Sequence, residues 1–282
     1  MPLHTIHRPK TLDEIVGNES VVASLKSVLR REQDRPHSFL FTGQSGCGKS
    51  TLARILKYEL NCSDSDLYIY NTANTRGIDT MREIGENCQY APMSGDVKLI
   101  ILEECHMWTA QAAESILVLL EEPPSHVFFA LCTTEPEKLK STIKRRCHVS
   151  EVKPLNSDQL LTLLNSILNE EGVKDFPDTV LTKITQVCDG SPGKALNLLD
   201  TVIDIADDKM ALQTIEEATI SEATIANIAQ VLIKGNGKWG DIALMIKGLS
   251  GEPESLRYAF LGYFNAVLLN NPRNHDKIAE IL

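Results

Sequence analysis

Eight residues, Gly43-Gln44-Ser45-Gly46-Cys47-Gly48-Lys49-Ser50, have the types and spacing to hold a chain of phosphates. The apolar run Phe39-Leu40-Phe41 precedes them and Thr51-Leu52-Ala53-Arg54-Ile55-Leu56 follows, which is the order of strand, loop and helix. Glycines at 43, 46 and 48 let the backbone turn tightly and aim successive N–H groups inward, and the helix start, Thr51 included, completes the cradle. Lys49 is placed to reach the β- and γ-phosphates, and Ser50 offers the small hydroxyl that a bridging Mg²⁺ takes as a ligand. A chance glycine-rich turn is the alternative, and the full pattern in its strand-loop-helix setting argues against it. The chemistry implied is binding of a nucleoside triphosphate.

A second group follows the apolar run Val97-Lys98-Leu99-Ile100-Ile101-Leu102, which ends in Glu103-Glu104. Alternation along a strand sends these carboxylates to opposite sides, so that one serves a metal and the other a water. The competing reading is an acidic pair at a helix N-terminus, favourable to the helix dipole. Ahead of the loop, an N-terminal arm from Arg8-Pro9 to Val16-Gly17 could lie against an adenine or pack as surface.

The elements that position these residues alternate. Strands are expected at 39–41, 67–70, 97–102, 127–132 and 149–152, with helices from Ser20, from the loop to Leu56, over 77–90 and over 109–122. Continuous apolar runs suit strands buried on both faces, and their C-terminal ends form the ligand-binding edge of an open α/β sheet. The fold class is therefore α/β, a doubly wound parallel sheet. Lys153-Pro154-Leu155 breaks the pattern, and helices follow from Ser157, around Val180 to Val187, and over 194–199 after Gly190-Ser191-Pro192-Gly193. Further helices are expected over 225–233, 242–249, 255–269 and 277–282. The organisation read is 1–152 for the nucleotide-binding domain, 153–206 for a small helical lid and 207–282 for a helical C-terminal domain.

Composition is that of an ordinary globular protein, with 43% hydrophobic and 23% charged residues. The start of the chain lacks a basic, then apolar, leader and no run is long enough to span a membrane, so a cytoplasmic protein without membrane contact is expected. Seven cysteines lack a C-x-x-C pair and read as reduced, mostly buried thiols. A net charge of −10 provides no global attraction to nucleic acid, so any such contact is local.

Six motifs then stand in order: His7 to Gly17, the glycine loop, Glu104-Cys105-His106-Met107, Leu119-Leu120-Glu121-Glu122-Pro123-Pro124, Thr133-Thr134-Glu135 and Arg145-Arg146-Cys147. Together they resemble the AAA+ clamp-loader ATPases, the family of the bacterial DNA polymerase III gamma/tau subunit and of replication factor C small subunits. The resemblance spans about residues 5–205. It implies an ATP- and Mg²⁺-dependent hydrolase that loads a sliding clamp on primer–template DNA, within a pentameric ring or spiral of clamp-loader subunits whose C-terminal domains form a helical collar. It makes Glu104 the residue that activates the attacking water, Thr134 the sensor of the γ-phosphate, and Arg146 an arginine that reaches the neighbouring subunit's site. It further puts Thr75 and Arg76, at one helix start, near the template phosphates.

The sequence departs from the family pattern at four places. Glu103 stands where the family has a metal-linked aspartate, Arg145 where it has a serine, and Lys194 where the lid helix has an arginine. Of a four-cysteine zinc module only Cys62 is present. The readings that compete with an ATPase motor are a structural subunit of the same assembly and another DNA-acting AAA+ machine, such as a branch-migration motor or a helicase loader.

Overall fold

The computed structural model describes residues 2–72, 77–234 and 239–247, with residues 260, 261, 263, 264 and 267. Five strands, β1 (Ser38–Thr42), β2 (Leu67–Asn71), β3 (Lys98–Glu103), β4 (Val127–Thr133) and β5 (His148–Glu151), form one parallel sheet in the order β2-β3-β4-β1-β5. Helices α1 (Leu3–Ile6), α2 (Glu19–Leu29), α3 (Lys49–Glu59), α4 (Ile78–Gln89), α5 (Ala110–Glu121) and α6 (Ser141–Arg145) surround it. The expected strands are all present, within a residue or two at their ends.

Alternation along each strand divides the core into two layers. Phe39, Phe41, Leu99, Ile101, Phe128, Ala130 and Cys132 pack with Leu25 of α2 and Leu52, Ile55 and Leu56 of α3. Leu40, Ile100, Leu102, Val127, Phe129 and Leu131 pack on the opposite face with Met81 and Ile84 of α4, Ile116 and Leu120 of α5, and Ile143 of α6. A strand that must feed both layers has no polar position to spare, which is why β1, β3 and β4 read as unbroken apolar runs. Because all strands are parallel, the segments after β1, β3 and β4 emerge at one edge, side by side.

Beyond the sheet lie α7 (Ser157–Glu170), α8 (Asp178–Val187), α9 (Pro192–Val202), α10 (Asp208–Lys234) and α11 (Trp239–Lys247). Asn156 opens α7 with a capping box, its Oδ1 accepting from the Gln159 N–H at 2.8 Å while Gln159 Oε1 accepts from the Asn156 N–H at 3.1 Å. Contacts group the chain into two compact units, Met1–Phe176 with Ile184–Asp200, and Pro177–Lys183 with Thr201–Leu282. The helix expected over 225–233 is part of the longer α10, and α11 takes the place of the one expected over 242–249. The stretch 277–282, and most of 255–269, lie outside the described residues. No helix among the described residues is long and apolar enough to cross a membrane.

Candidate nucleotide-binding site

The glycine loop leaves β1 at Gly43, whose φ is +141°, and an added Cβ there would stand 2.2 Å from the Val152 carbonyl oxygen. Only glycine lets the loop base lie this close to the chain leaving β5. Ser45 through Leu52 line a cavity of about 340 Å³, a size suited to a small molecule. Lys49 opens α3 and is buried, its Nζ donating to the carbonyls of Gly43 at 2.9 Å and Gln44 at 2.7 Å. Burial lowers its pKa, and the nearby Glu104 opposes that shift. Cys47 also lines the cavity, and burial raises its thiol pKa, so it stays protonated at neutral pH.

Glu103 ends β3 and Glu104 follows, and both line this cavity. The strand alternation that would have sent them to opposite sides stops at Glu104, which adopts a left-handed conformation with φ 53° and ψ 42°. Thr72, fully buried after β2, fixes that turn: its Oγ1 donates to the carbonyls of Glu103 at 2.9 Å and Glu104 at 2.6 Å. Thr134, just past β4, donates to Glu104 Oε2 at 3.2 Å, so the residue matched to the phosphate sensor touches the carboxylate matched to water activation. His106, in the short turn after Glu104, lies with Nδ1 3.4 Å from Glu104 Oε2 and Nε2 3.1 Å from Glu135 Oε1. Arg8 shares the cavity wall, and its pKa is lowered by burial and by the like charge of Arg54, against the pull of Glu103.

The fit to a metal–nucleotide pair rests on position. Ser50 and Glu103, both oxygen donors, face the same cavity as Lys49, as hard-cation coordination requires. Pro9 and Val16 line the cavity too, while Gly17 turns the arm at φ +70° against Leu155. The first turn of α9 meets the loop directly, with the Gly193 N–H donating to the Gly46 carbonyl at 3.2 Å and Pro192 and Gly193 in the cavity wall. Lys194 next to them extends toward Asp189, with Nζ 3.6 Å from Oδ2.

Arg146 stands apart at the end of α6. Its Nη2 meets Glu121 Oε1 at 2.8 Å and its Nη1 donates to the Thr142 carbonyl at 3.0 Å. Thr75 and Arg76 lie outside the described residues. Sequence reasoning passed over Thr72, Asn71, His106 and His4, together with Leu155, Leu163 and Leu196 beyond β5. The register of β2 against β3, which sets Asn71 opposite Glu103, is a tertiary fact with no local signal.

Residues 63–156 match the family model described as DNA polymerase III, delta subunit. Subunit tau of Escherichia coli DNA polymerase III is 31% identical over 82% of this chain and 39% of its own length, and subunit tau of Bacillus subtilis is 29% identical over 82% and 45%. Subunit gamma of Buchnera aphidicola is 30% identical over 70% of this chain and 59% of its own length. The chain thus spans about two-fifths of the length of the tau relatives it matches. Among solved structures, the Thermotoga maritima RuvB Holliday junction branch migration motor superposes with a TM-score of 0.62 over 85% of each chain, at 19% identity, which is a likeness of fold. By sequence the chain resembles the tau and gamma subunits of DNA polymerase III, and by fold, a five-stranded parallel α/β sheet with a glycine-rich loop between β1 and α3, it resembles the RuvB motor.

Proposed function

We propose that the chain is the ATP-hydrolysing motor subunit of a DNA sliding-clamp loader. The observation that supports this most is the meeting, in one cavity, of Lys49 and Ser50 from the glycine loop with Glu104, itself bonded by Thr134. In this reading the loop N–H groups and Lys49 bind the β- and γ-phosphates, with Ser50 and Glu103 as protein ligands of Mg²⁺. The ion, when bound, neutralises charge on the transferring phosphoryl group. Glu104 orients a water and accepts its proton, held in place by Thr134, and the arm from Arg8 and Pro9 to Val16 and Gly17 lies against the base. Arg146 acts on the neighbouring subunit's site, Lys194 on the phosphates from the lid, and Thr75 and Arg76 on template phosphates. The domains are 1–152, 153–206 and 207–282, the last a collar for a pentamer that grips clamp and primer–template DNA in the cytoplasm.

The second reading, a structural subunit with weak turnover, is favoured by two observations: a glutamate at position 103, one methylene longer than the aspartate of the resembling family, and the Lys194 ammonium directed at Asp189. The discriminating measurement is ATP turnover with and without primed DNA and a cognate clamp, beside ATP affinity. Lys49→Ala should remove nucleotide binding. Glu104→Gln should keep affinity within about threefold and lower turnover at least 100-fold, since an amide cannot accept the proton. Turnover by wild type no faster than by Glu104→Gln, with ATP bound, would establish the structural reading instead.

A further inference from the structure

The motifs Glu104-Cys105-His106-Met107 and Thr133-Thr134-Glu135 meet at the ends of β3 and β4, and His106, Thr133 and Glu135 have no role in the reading above. The meeting is residue by residue. Thr133 Oγ1 lies 3.1 Å from His106 Nδ1, Thr134 Oγ1 donates to Glu104 Oε2 at 3.2 Å, and Glu135 Oε1 lies 3.1 Å from His106 Nε2. His106 Nδ1 is also 3.4 Å from Glu104 Oε2, so the ring stands between two carboxylates. Ionised carboxylates only accept, so a proton on Nδ1 serves Glu104 and Thr133 together, and a proton on Nε2 serves Glu135.

The ring is held firmly. Its side chain is 6% exposed, in the short turn Cys105–Met107 that follows the left-handed Glu104. Glu135 is itself tethered, with its Oε2 meeting Lys138 Nζ at 2.6 Å and its N–H donating to the fully buried Thr133 Oγ1 at 3.1 Å. The Glu104 side chain, by contrast, is 38% exposed and lines the cavity, where a long flexible chain samples many orientations unless it is held. Thr72 fixes only its backbone. The contacts from Thr134 and His106 both fall on one oxygen, Oε2, so they orient the carboxylate without engaging Oε1.

Resting on the hydrolysis reading above, we propose that His106 is a positioning residue: with Thr134 it holds Glu104 Oε2 against the end of β4, so that Oε1 meets the attacking water, and Glu135 in turn holds the ring. His106 is not part of the cavity wall formed by the described residues, so it acts on turnover through Glu104 and not on ATP affinity. Orientation of this kind is where a group remote from the substrate gains its leverage on rate.

The test is steady-state ATP turnover beside equilibrium ATP affinity, on the full chain with primed DNA and a cognate clamp. His106→Phe keeps a buried ring without donors and should lower kcat about 10- to 30-fold, with ATP affinity within about threefold. His106→Asn places an amide nitrogen where Nδ1 stands and should recover kcat to within about threefold of wild type, whereas His106→Gln, whose amide nitrogen falls where Nε2 stands, should recover little. A merely structural histidine would show no such order. Glu135→Ala should lower kcat about three- to tenfold alone, and by less than about twofold in the His106→Phe background, since both act through one ring. Should His106→Phe fold poorly, seen as a lower urea midpoint, the Asn and Gln variants carry the comparison. Equal kcat in those two variants, or losses of ATP affinity that match the losses of kcat, overturns the assignment. A wild type that binds ATP without turning it over would overturn the motor reading, and this role with it.

Discussion

Thr72 Oγ1 donates to two successive carbonyls, those of Glu103 and Glu104, from a fully buried position. The left-handed turn at Glu104 costs backbone energy for a residue with a Cβ, and persists where its surroundings over-determine it. Thr72→Val keeps the shape and removes the hydroxyl. It should cost about 1–2 kcal/mol of stability by urea titration, and lower ATP turnover tenfold or more while leaving ATP affinity within about threefold. Loss of stability with unchanged turnover would show that the turn orients Glu104 without this hydroxyl. Lys49 belongs to the same scale. It is buried and bridges two loop carbonyls, so Lys49→Ala should also lower stability by about 1–2 kcal/mol, read as a lower urea midpoint.

At the scale of elements, the loop between α4 and β3 is held by a single buried carboxylate. Asp66 accepts backbone N–H bonds from Met93, from Ser94 at 3.0 Å and from Gly95 at 3.1 Å, with the Ser63 hydroxyl added. Burial alone would raise its pKa, but these four donors outweigh it and bring the value down to about 2. This clasp follows Cys62, the one cysteine left of the zinc module found in the resembling family. A depressed carboxylate pKa stabilises the fold at pH values above its unfolded value, roughly 4, and that contribution is lost as pH falls toward 2. Asp66→Asn should therefore lower the urea midpoint at neutral pH by the equivalent of about 2–4 kcal/mol, and the gap to wild type should narrow between about pH 4 and pH 2. A gap that stays constant over that window would mean the carboxylate's charge is not what holds the loop.

For the whole molecule the proposed assembly turns on Arg146. Its partner Glu121 is 59% exposed, and an ion pair so open to solvent contributes little, which leaves the guanidinium available to a neighbouring subunit at small cost. Arg146→Ala should bind ATP as wild type does and depress hydrolysis at the adjacent site, by a factor of about 10³ if it acts as an arginine finger. Arg146→Lys should rescue poorly, because lysine lacks the planar fork of donors. Mixing Arg146→Ala with Lys49→Ala subunits should restore turnover in proportion to the interfaces that join an intact loop to an intact arginine. No recovery at any ratio would put the arginine's action within its own chain.

The glycine loop, the run into Glu103-Glu104 and the alternation of strands and helices were all legible in the sequence. Each is a local pattern whose chemistry or burial is dictated by near neighbours in the chain. The parallel sheet followed from strands too apolar to face water on either side. Other features were decided only by tertiary structure, because they depend on residues far apart in the chain. Glu103 and Glu104 turn into one cavity because Thr72, some thirty residues earlier, bonds both carbonyls across a strand pair. Gly43 is required by the Val152 carbonyl, and Gly46 carries the first turn of α9 on its own carbonyl, contacts set by how β5 and α9 return to the loop. His4 lines the cavity beside the glycine loop because an N-terminal turn is tied to Asp200, Glu170 and Glu171 in the same unit, and hydrophobic periodicity holds no record of such a tie.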